Sequence, residues 1–426
     1  MIQNPLILSM NPKSIQFFLF YLMFLWQTIV RGNPMIVRPE RMDKISIFMD
    51  QPLVKILVGV RGCGKSTLLD MVKNELISHG IREDHILMRD YRKSRFHQGI
   101  TARKIYDELS SMMRDKGRYY LLIDGLEWIE GWEKAILTLF ERNHADIYLT
   151  GSDDRMMPDR ISTYLTGRYI LIPVYPLSYR EYLLFREGSV KEMDTLLSDY
   201  VLYGGFPSVH LKAPDLESTR LTANGIYRTI LSDEIMRHHR IDCFRYQRVM
   251  EYVIDHLGKT LSKDKEKEIP EISTKSLRRY LGLLEESFIV YSCPFYDIQR
   301  KSVMRGRKYY LSDVSFRYVV SDCEPKISDG ILKNIVFLEL RRRGYNVFIG
   351  KNKAKEIGLV ATRFEKKLYV QVREKLPFDS DREVESLMKI RDHYPKYVVT
   401  MNHLATGNEN GIQIVHLSDF LLSDQF

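Results

Sequence analysis

Cysteine is scarce: Cys63, Cys243, Cys293 and Cys323 are the only four in 426 residues, and they stand far apart. No pair has zinc-ligand spacing, and the usage fits a reducing compartment. Long hydrophobic runs are also lacking. The one candidate, residues 15–30 (IQFFLFYLMFLWQTIV), is short against the roughly 20 residues that a spanning helix needs. Lys13 precedes it, but no small-residue cleavage site follows, which argues against a signal peptide. Two readings of residues 1–34 stand: a membrane anchor, or an over-extended start with Met35 as the true first residue. The second is the simpler. Arg31, Arg38 and Arg41 would keep the downstream chain cytoplasmic if the segment anchored; without it the chain is expected in the cytoplasm. The composition of a disordered chain is missing too, with 44% hydrophobic and 28% charged residues. The length allows two to four domains. A net charge of +9 is compatible with a nucleic-acid or acidic partner and says nothing about fold.

What is present centres on residues 54–69, VKILVGVRGCGKSTLL. Val54, Ile56, Leu57 and Val58 suit a buried parallel strand. Gly59, Val60, Arg61, Gly62, Cys63, Gly64, Lys65 and Ser66 match G-x-x-x-x-G-K-[ST], and Thr67 continues into a helix. The glycines let successive N–H groups face one anion, and the helix adds its positive end. Lys65 reaches β- and γ-phosphates, and Ser66 offers its hydroxyl to Mg²⁺. The reading is a site for ATP with Mg²⁺. Cys63 is either a reactive thiol or, more simply, a loop residue.

Residues 119–124, YYLLID, form an apolar strand ending in Asp124, which matches the Walker B aspartate and completes the Mg²⁺ site with Ser66. A glutamate is lacking after it: the chain reads Asp124-Gly125-Leu126-Glu127. Glycine cannot orient a water. Glu127 or Glu130 substitutes only if the backbone turns unusually. Loss of such a group costs on the order of 10²–10⁴ in rate, so turnover is expected to be slow or absent. At the next strand end Ser152 and Asp153 are sensor candidates near the γ-phosphate. Arg168 is a candidate for stabilising phosphate charge, in cis or across a subunit interface. Repeated βα units imply an α/β fold with a mostly parallel sheet.

Residues 244–313 have the rhythm of a winged helix. Ser273 caps a helix over residues 274–286 whose stripe is Leu277, Tyr280, Leu281 and Leu284. Lys275, Arg278 and Arg279 lie off that stripe and are DNA-contact candidates, although such modules also bind proteins. Arg300, Lys301, Arg305 and Arg307 sit between two expected strands as a basic wing. Residues 263–268, KDKEKE, read as an exposed loop.

The chain resembles prokaryotic AAA-type ATPases that carry a C-terminal domain of unknown function. The shared stretches are the phosphate loop, Gly131-Trp132-Glu133-Lys134, Thr150-Gly151-Ser152, Leu165-Thr166-Gly167-Arg168, residues 176–182 (PLSYREY), Tyr203-Gly204-Gly205-Phe206-Pro207 and Tyr309-Tyr310-Leu311-Ser312-Asp313. The resemblance covers residues 35–426. It implies an AAA-like P-loop domain with helical cap (35–240), a winged helix (241–320) and a domain similar to PD-(D/E)xK nucleases (321–426). Such proteins have Asp-Glu where this chain has Asp124-Gly125, and Asn at Asp153. In the nuclease-like part the resemblance maps Glu339 onto the helix glutamate, but places Gly358 where an aspartate is expected and Gln371-Val372-Arg373 where (D/E)-x-K is. That chemistry needs clustered carboxylates for its metal, so no nuclease activity is expected. Rings are common among such ATPases; without a firm trans arginine, none is implied here.

Overall fold

The computed structural model describes residues 37–93, 100–143, 145–158, 161, 163–187, 189–260, 269, 271–319, 326–353, 355–375 and 381–426. The apolar stretch 15–30, Met35, the loop 263–268 and Cys323 lie outside the described residues. Among the described residues no helix is long and apolar enough to cross a membrane.

Helix α1 (Pro39–Ser46) precedes β1 (Val54–Val58) and α2 (Lys65–Ser78). Then come β2 (Ile86–Asp90), α3 (Ala102–Met112), β3 (Tyr120–Asp124), α4 (Trp132–Asn143), β4 (Asp146–Gly151) and β5 (Tyr169–Pro173). The five strands form one parallel sheet in the order β2-β3-β4-β1-β5. Strands β1, β3 and β4 are buried along their whole length, as expected where helices cover both faces of a parallel sheet. Strand β1 lies between β4 and β5 and not beside β2, so the order switches there, and ligands in such sheets bind at the carboxyl ends of strands near that point.

Helices α5 (Tyr179–Phe185), α6 (Met193–Tyr203) and α7 (Leu216–Thr229) follow, with a π-helical turn at Ile230–Met236, and α8 (Cys243–Asp255) and α9 (Thr274–Glu286). The glycine turn between α6 and α7 is built against a partner: the Gly205 N–H donates to Asp313 Oδ2 at 2.7 Å. A Cβ on Gly204 (φ +81°) would lie 2.0 Å from Asp313 Oδ1, so only glycine fits. Two stretches read separately in the sequence thus form one structural joint.

Hairpin β6 (Val290–Asp297) and β7 (Ser302–Leu311) is longer than the two short strands expected, and Arg305 and Arg307 lie on β7 rather than in a loop. After it come α10 (Asp329–Arg342), β8 (Asn346–Asn352), β9 (Lys355–Arg363), β10 (Lys366–Arg373), α11 (Asp381–Met388), β11 (Lys396–Thr400), β12 (Gly407–Glu409), β13 (Ile412–His416) and α12 (Leu417–Leu422). Strand β6 pairs in parallel with β8, which makes the hairpin the edge of an eight-stranded sheet, β12-β13-β11-β10-β9-β8-β6-β7. The expected boundary at 320/321 therefore falls between strands of one sheet. One buried apolar cluster runs from the first sheet into the second.

Candidate nucleotide site

The loop after β1 has the geometry its glycines anticipate. Gly62 and Gly64 hold φ of +84° and +98°, and Gly64 caps α2. A Cβ on Gly59 would stand 1.9 Å from the Val174 carbonyl oxygen, where the loop crosses the end of β5. Cys63 is fully buried, which overturns the reactive-thiol alternative, because reactive cysteines need partial exposure. The Lys65 Nζ donates to the loop's own carbonyls, Gly59 O at 2.6 Å and Val60 O at 3.1 Å.

The loop opens on a cleft of about 500 Å³ lined by Arg61, Lys65, Ser66, Thr67, Arg92, Asp124 and Ser152, and roofed by Thr222, Ile226 and Thr229 of α7. Asp124 is 4% exposed, and Thr150 donates to its Oδ1. Arg92 Nη2 lies 2.6 Å from Asp124 Oδ2 and 3.1 Å from Ser66 Oγ. Ser66 and Asp124 thus converge on one cation, as the sequence leads one to expect for Mg²⁺, but the cation between them is a guanidinium. No reading of the motifs pointed to Arg92. The available signal was its place, two residues past the carboxyl end of a parallel strand, where such folds put their sites.

Of the two sensor candidates, Ser152 lines this cleft. Asp153 lines a smaller cavity behind it with Glu234 and Arg155. Burial, then the neighbouring Glu127, push the Asp153 carboxyl up to about 7. Gly125 does turn the backbone, with φ +80°. Glu127 nevertheless stays buried beside Ser152, accepting from its hydroxyl at 3.0 Å, and is not among the residues lining the cleft. A glutamate at position 125 has no room: its Cβ would fall 2.2 Å from Arg92 Cγ.

Arg168 stands at the start of β5, paired with Glu141 at 2.7 Å. In register Val54 pairs Tyr169 and Val58 pairs Pro173, so Arg168 sits at the edge of the sheet opposite the phosphate loop. Its cis role is corrected by strand direction. Glu234, on the π-helical turn, is a further residue the sequence did not flag. It faces Arg61 at 3.6 Å, and burial drives its carboxyl up to about 8 against the pull of Lys65 and Arg61, which leaves it mostly neutral at pH 7. Lys275, Arg278 and Arg279 are exposed on α9 as expected, with Arg279 bonded to the Arg240 carbonyl at 2.8 Å.

Among the described residues the C-terminal carboxylates form no metal-holding cluster. Glu339 is buried against Arg342 and Arg343. Gly358 has φ +86°, and a Cβ there would meet the Val370 carbonyl at 2.5 Å and Gln371 Oε1 at 2.9 Å. Gln371 donates to Ser386 at 3.0 Å.

Residues 51–183 match the model of an AAA domain, and residues 194–326 match a domain of unknown function, DUF8612. An uncharacterized protein of Haemophilus influenzae is 31% identical over 403 residues, which span 92% of this chain and all of that one. An uncharacterized protein of Methanocaldococcus jannaschii is 23% identical over 86% of this chain and 85% of its own length. Among solved structures, a Walker-type ATPase of Pyrococcus abyssi has the same fold over 67% of this chain and 95% of that one, with a TM-score of 0.50 at 16% identity. With its phosphate loop, its parallel sheet and its full-length relative, the chain belongs to the family of the H. influenzae protein, a family with an AAA-type P-loop domain.

Proposed function

We propose that this chain binds ATP in the cleft over Lys65 and hydrolyses it slowly or not at all. The observation that carries this reading is the pairing of an intact phosphate loop with a missing glutamate after Asp124: Gly125 has no side chain to orient a water, and Glu127 is turned to Ser152. Arg61 and Lys65 line the cleft with the N-terminus of α2, and that set neutralises phosphate charge. Nucleotide binding, rather than turnover, then biases how α7 and the adjoining helices sit against the loop. The test is single-turnover hydrolysis with protein in excess over labelled ATP. The expected result is retained, uncleaved ATP. Phosphate released on the seconds timescale, at a rate of an ordinary ATPase (about 1 s⁻¹ or more), overturns the slow-turnover half of the proposal.

A specific feature favours a nucleic-acid partner as a second reading. A cleft of about 1660 Å³ opens between the hairpin end, β9, β10 and α11. It exceeds the roughly 300–1,000 Å³ of small-molecule sites. Lys301, Lys353, Lys355, Lys367, Arg373 and Lys389 line it, along with Tyr296 and Tyr394. Of its acids, Glu356 is held by Lys308, Asp392 by Lys396 and Glu385 by Lys389. Basic side chains with aromatic faces suit a single strand. This cleft and the exposed α9 arginines keep the winged-helix reading of 241–320 and the nuclease-like reading of 321–426 as proposals, for a module that holds nucleic acid without cutting it. Binding of a single-stranded oligonucleotide is expected to weaken steeply with salt, by roughly 0.7 log units per log unit of salt for each phosphate contacted. Replacing Lys353, Lys355 and Lys389 by glutamate should abolish that binding. Absence of binding at low salt, or a triple variant that binds like the wild type, sinks this second reading.

A further inference from the structure

Arg92 and Gly125 share one space. A Cβ on Gly125 would lie 2.2 Å from Arg92 Cγ and 3.0 Å from Arg92 N, so the arginine runs through the volume that a side chain after Asp124 would fill. Its course is fixed from behind by Asp90, the last residue of β2. The Asp90 carboxylate accepts from the Arg92 backbone N–H at 3.0 Å, from Nε at 3.2 Å and from Nη2 at 3.2 Å. Aimed in this way, Nη2 meets Ser66 Oγ at 3.1 Å and Asp124 Oδ2 at 2.6 Å. Thr150 fixes the other Asp124 oxygen. These are the hydroxyl and the carboxylate with which a phosphate loop holds its divalent ion. A guanidinium stays protonated in proteins and presents donors in a fixed fork. The seat between Ser66 and Asp124 therefore carries a built-in positive charge, and its donors suit a cation that the chain itself supplies. For a divalent ion to enter between them, the Arg92 guanidinium would have to leave Ser66 and Asp124.

We infer that the cleft takes a nucleoside triphosphate free of metal, with the Arg92 guanidinium in the place of Mg²⁺. This rests on the nucleotide-binding reading above and narrows its ligand. It also joins two oddities of the chain: the missing glutamate makes room for the arginine, and the arginine replaces the ion. Charge-assisted hydrogen bonds from Arg92 to the phosphates then do the work of metal coordination.

The test is equilibrium binding of labelled ATP to the full chain in Mg²⁺ and in EDTA, for wild type and Arg92→Ala. The wild-type affinity is expected to differ less than about threefold between the two media. Arg92→Ala is expected to bind about tenfold or more weakly in EDTA, the loss of one charged hydrogen-bonding partner, and to recover when Mg²⁺ is added. Wild-type affinity that falls more than about tenfold in EDTA overturns the inference and leaves the nucleotide reading standing. Absence of ATP binding by the wild type in both media overturns the nucleotide reading, and the inference with it. The wild-type comparison needs no variant, so a misfolded Arg92→Ala protein does not shield the idea.

Discussion

Lys65→Ala is expected to lower the affinity for ATP by about a hundredfold or more, which is the scale of two charge-assisted hydrogen bonds to phosphate. The lysine is 6% exposed, and its ammonium is held inside the loop by the Gly59 and Val60 carbonyls. Little side-chain entropy is then left to lose when it turns to an anion. Glu234, in the cavity behind the cleft, has its carboxyl raised to about 8 by burial despite the pull of Lys65 and Arg61, which weakens it as a competitor with phosphate for the ammonium. Removing the lysine breaks two bonds to carbonyls of a loop that stays anchored by α2, so folding should survive. Isothermal titration with ATP gives the affinity, and far-ultraviolet circular dichroism on the same samples checks the fold. A folded Lys65→Ala protein with wild-type affinity would refute the site assignment.

The site was legible in the sequence where its residues are neighbours in the chain. The glycine spacing fixes the loop, and the apolar runs fix β1, β3 and β4, because both patterns are local. Arg92 was not legible, since its contact with Ser66 and Asp124 depends on β2 lying beside β3 in parallel register and on a left-handed Gly125. Arg168 looked like a phosphate ligand until strand direction placed it at the wrong edge of the sheet. Only the outer ends of hairpin β6–β7 were legible, because the basic residues towards its tip lack an apolar alternation. Its parallel pairing with β8, where Phe295 meets Ile349, links residues more than fifty positions apart and left no local trace. The same holds for Gly358: the sequence shows a missing aspartate, and only the fold shows that β10 leaves no space for one.

The buried pair Arg38–Glu181 should give the largest loss of stability. Arg38 Nε and Nη2 donate to the two Glu181 oxygens at 2.9 and 2.8 Å, and the same guanidinium holds the Cys63 carbonyl at 2.7 Å and the Tyr175 carbonyl at 2.9 Å. Arg41 adds a second cation 3.6 Å from Glu181. Glu181 also closes the α5 capping box, with Oε2 accepting from the Ser178 N–H at 2.8 Å. All three charged side chains are nearly inaccessible to water. Glu181→Ala leaves two buried guanidiniums without their carboxylate, and breaking such a pair costs about 3–5 kcal/mol. That is a large share of the roughly 5–15 kcal/mol that holds a typical protein folded. Burial alone would raise the Glu181 carboxyl, but Arg38 and Arg41 outweigh it and hold it down to about 2, against 4.5 unperturbed. The sign follows: a depressed folded value gives stability that is present above pH 4.5 and is lost as the pH falls from there towards 2. Urea unfolding at several pH values reads both effects. Glu181→Gln should flatten the acid limb that the wild type shows, and Arg38→Ala with Glu181→Ala should cost less than the sum of the two single losses, because they share one interaction. Single losses below about 1 kcal/mol, the scale of an exposed pair, would mean that the phosphate loop does not depend on this arginine for its footing. A loss of the expected size shows how two distant stretches, one before β1 and one after β5, hold the loop in the shape its ligand needs.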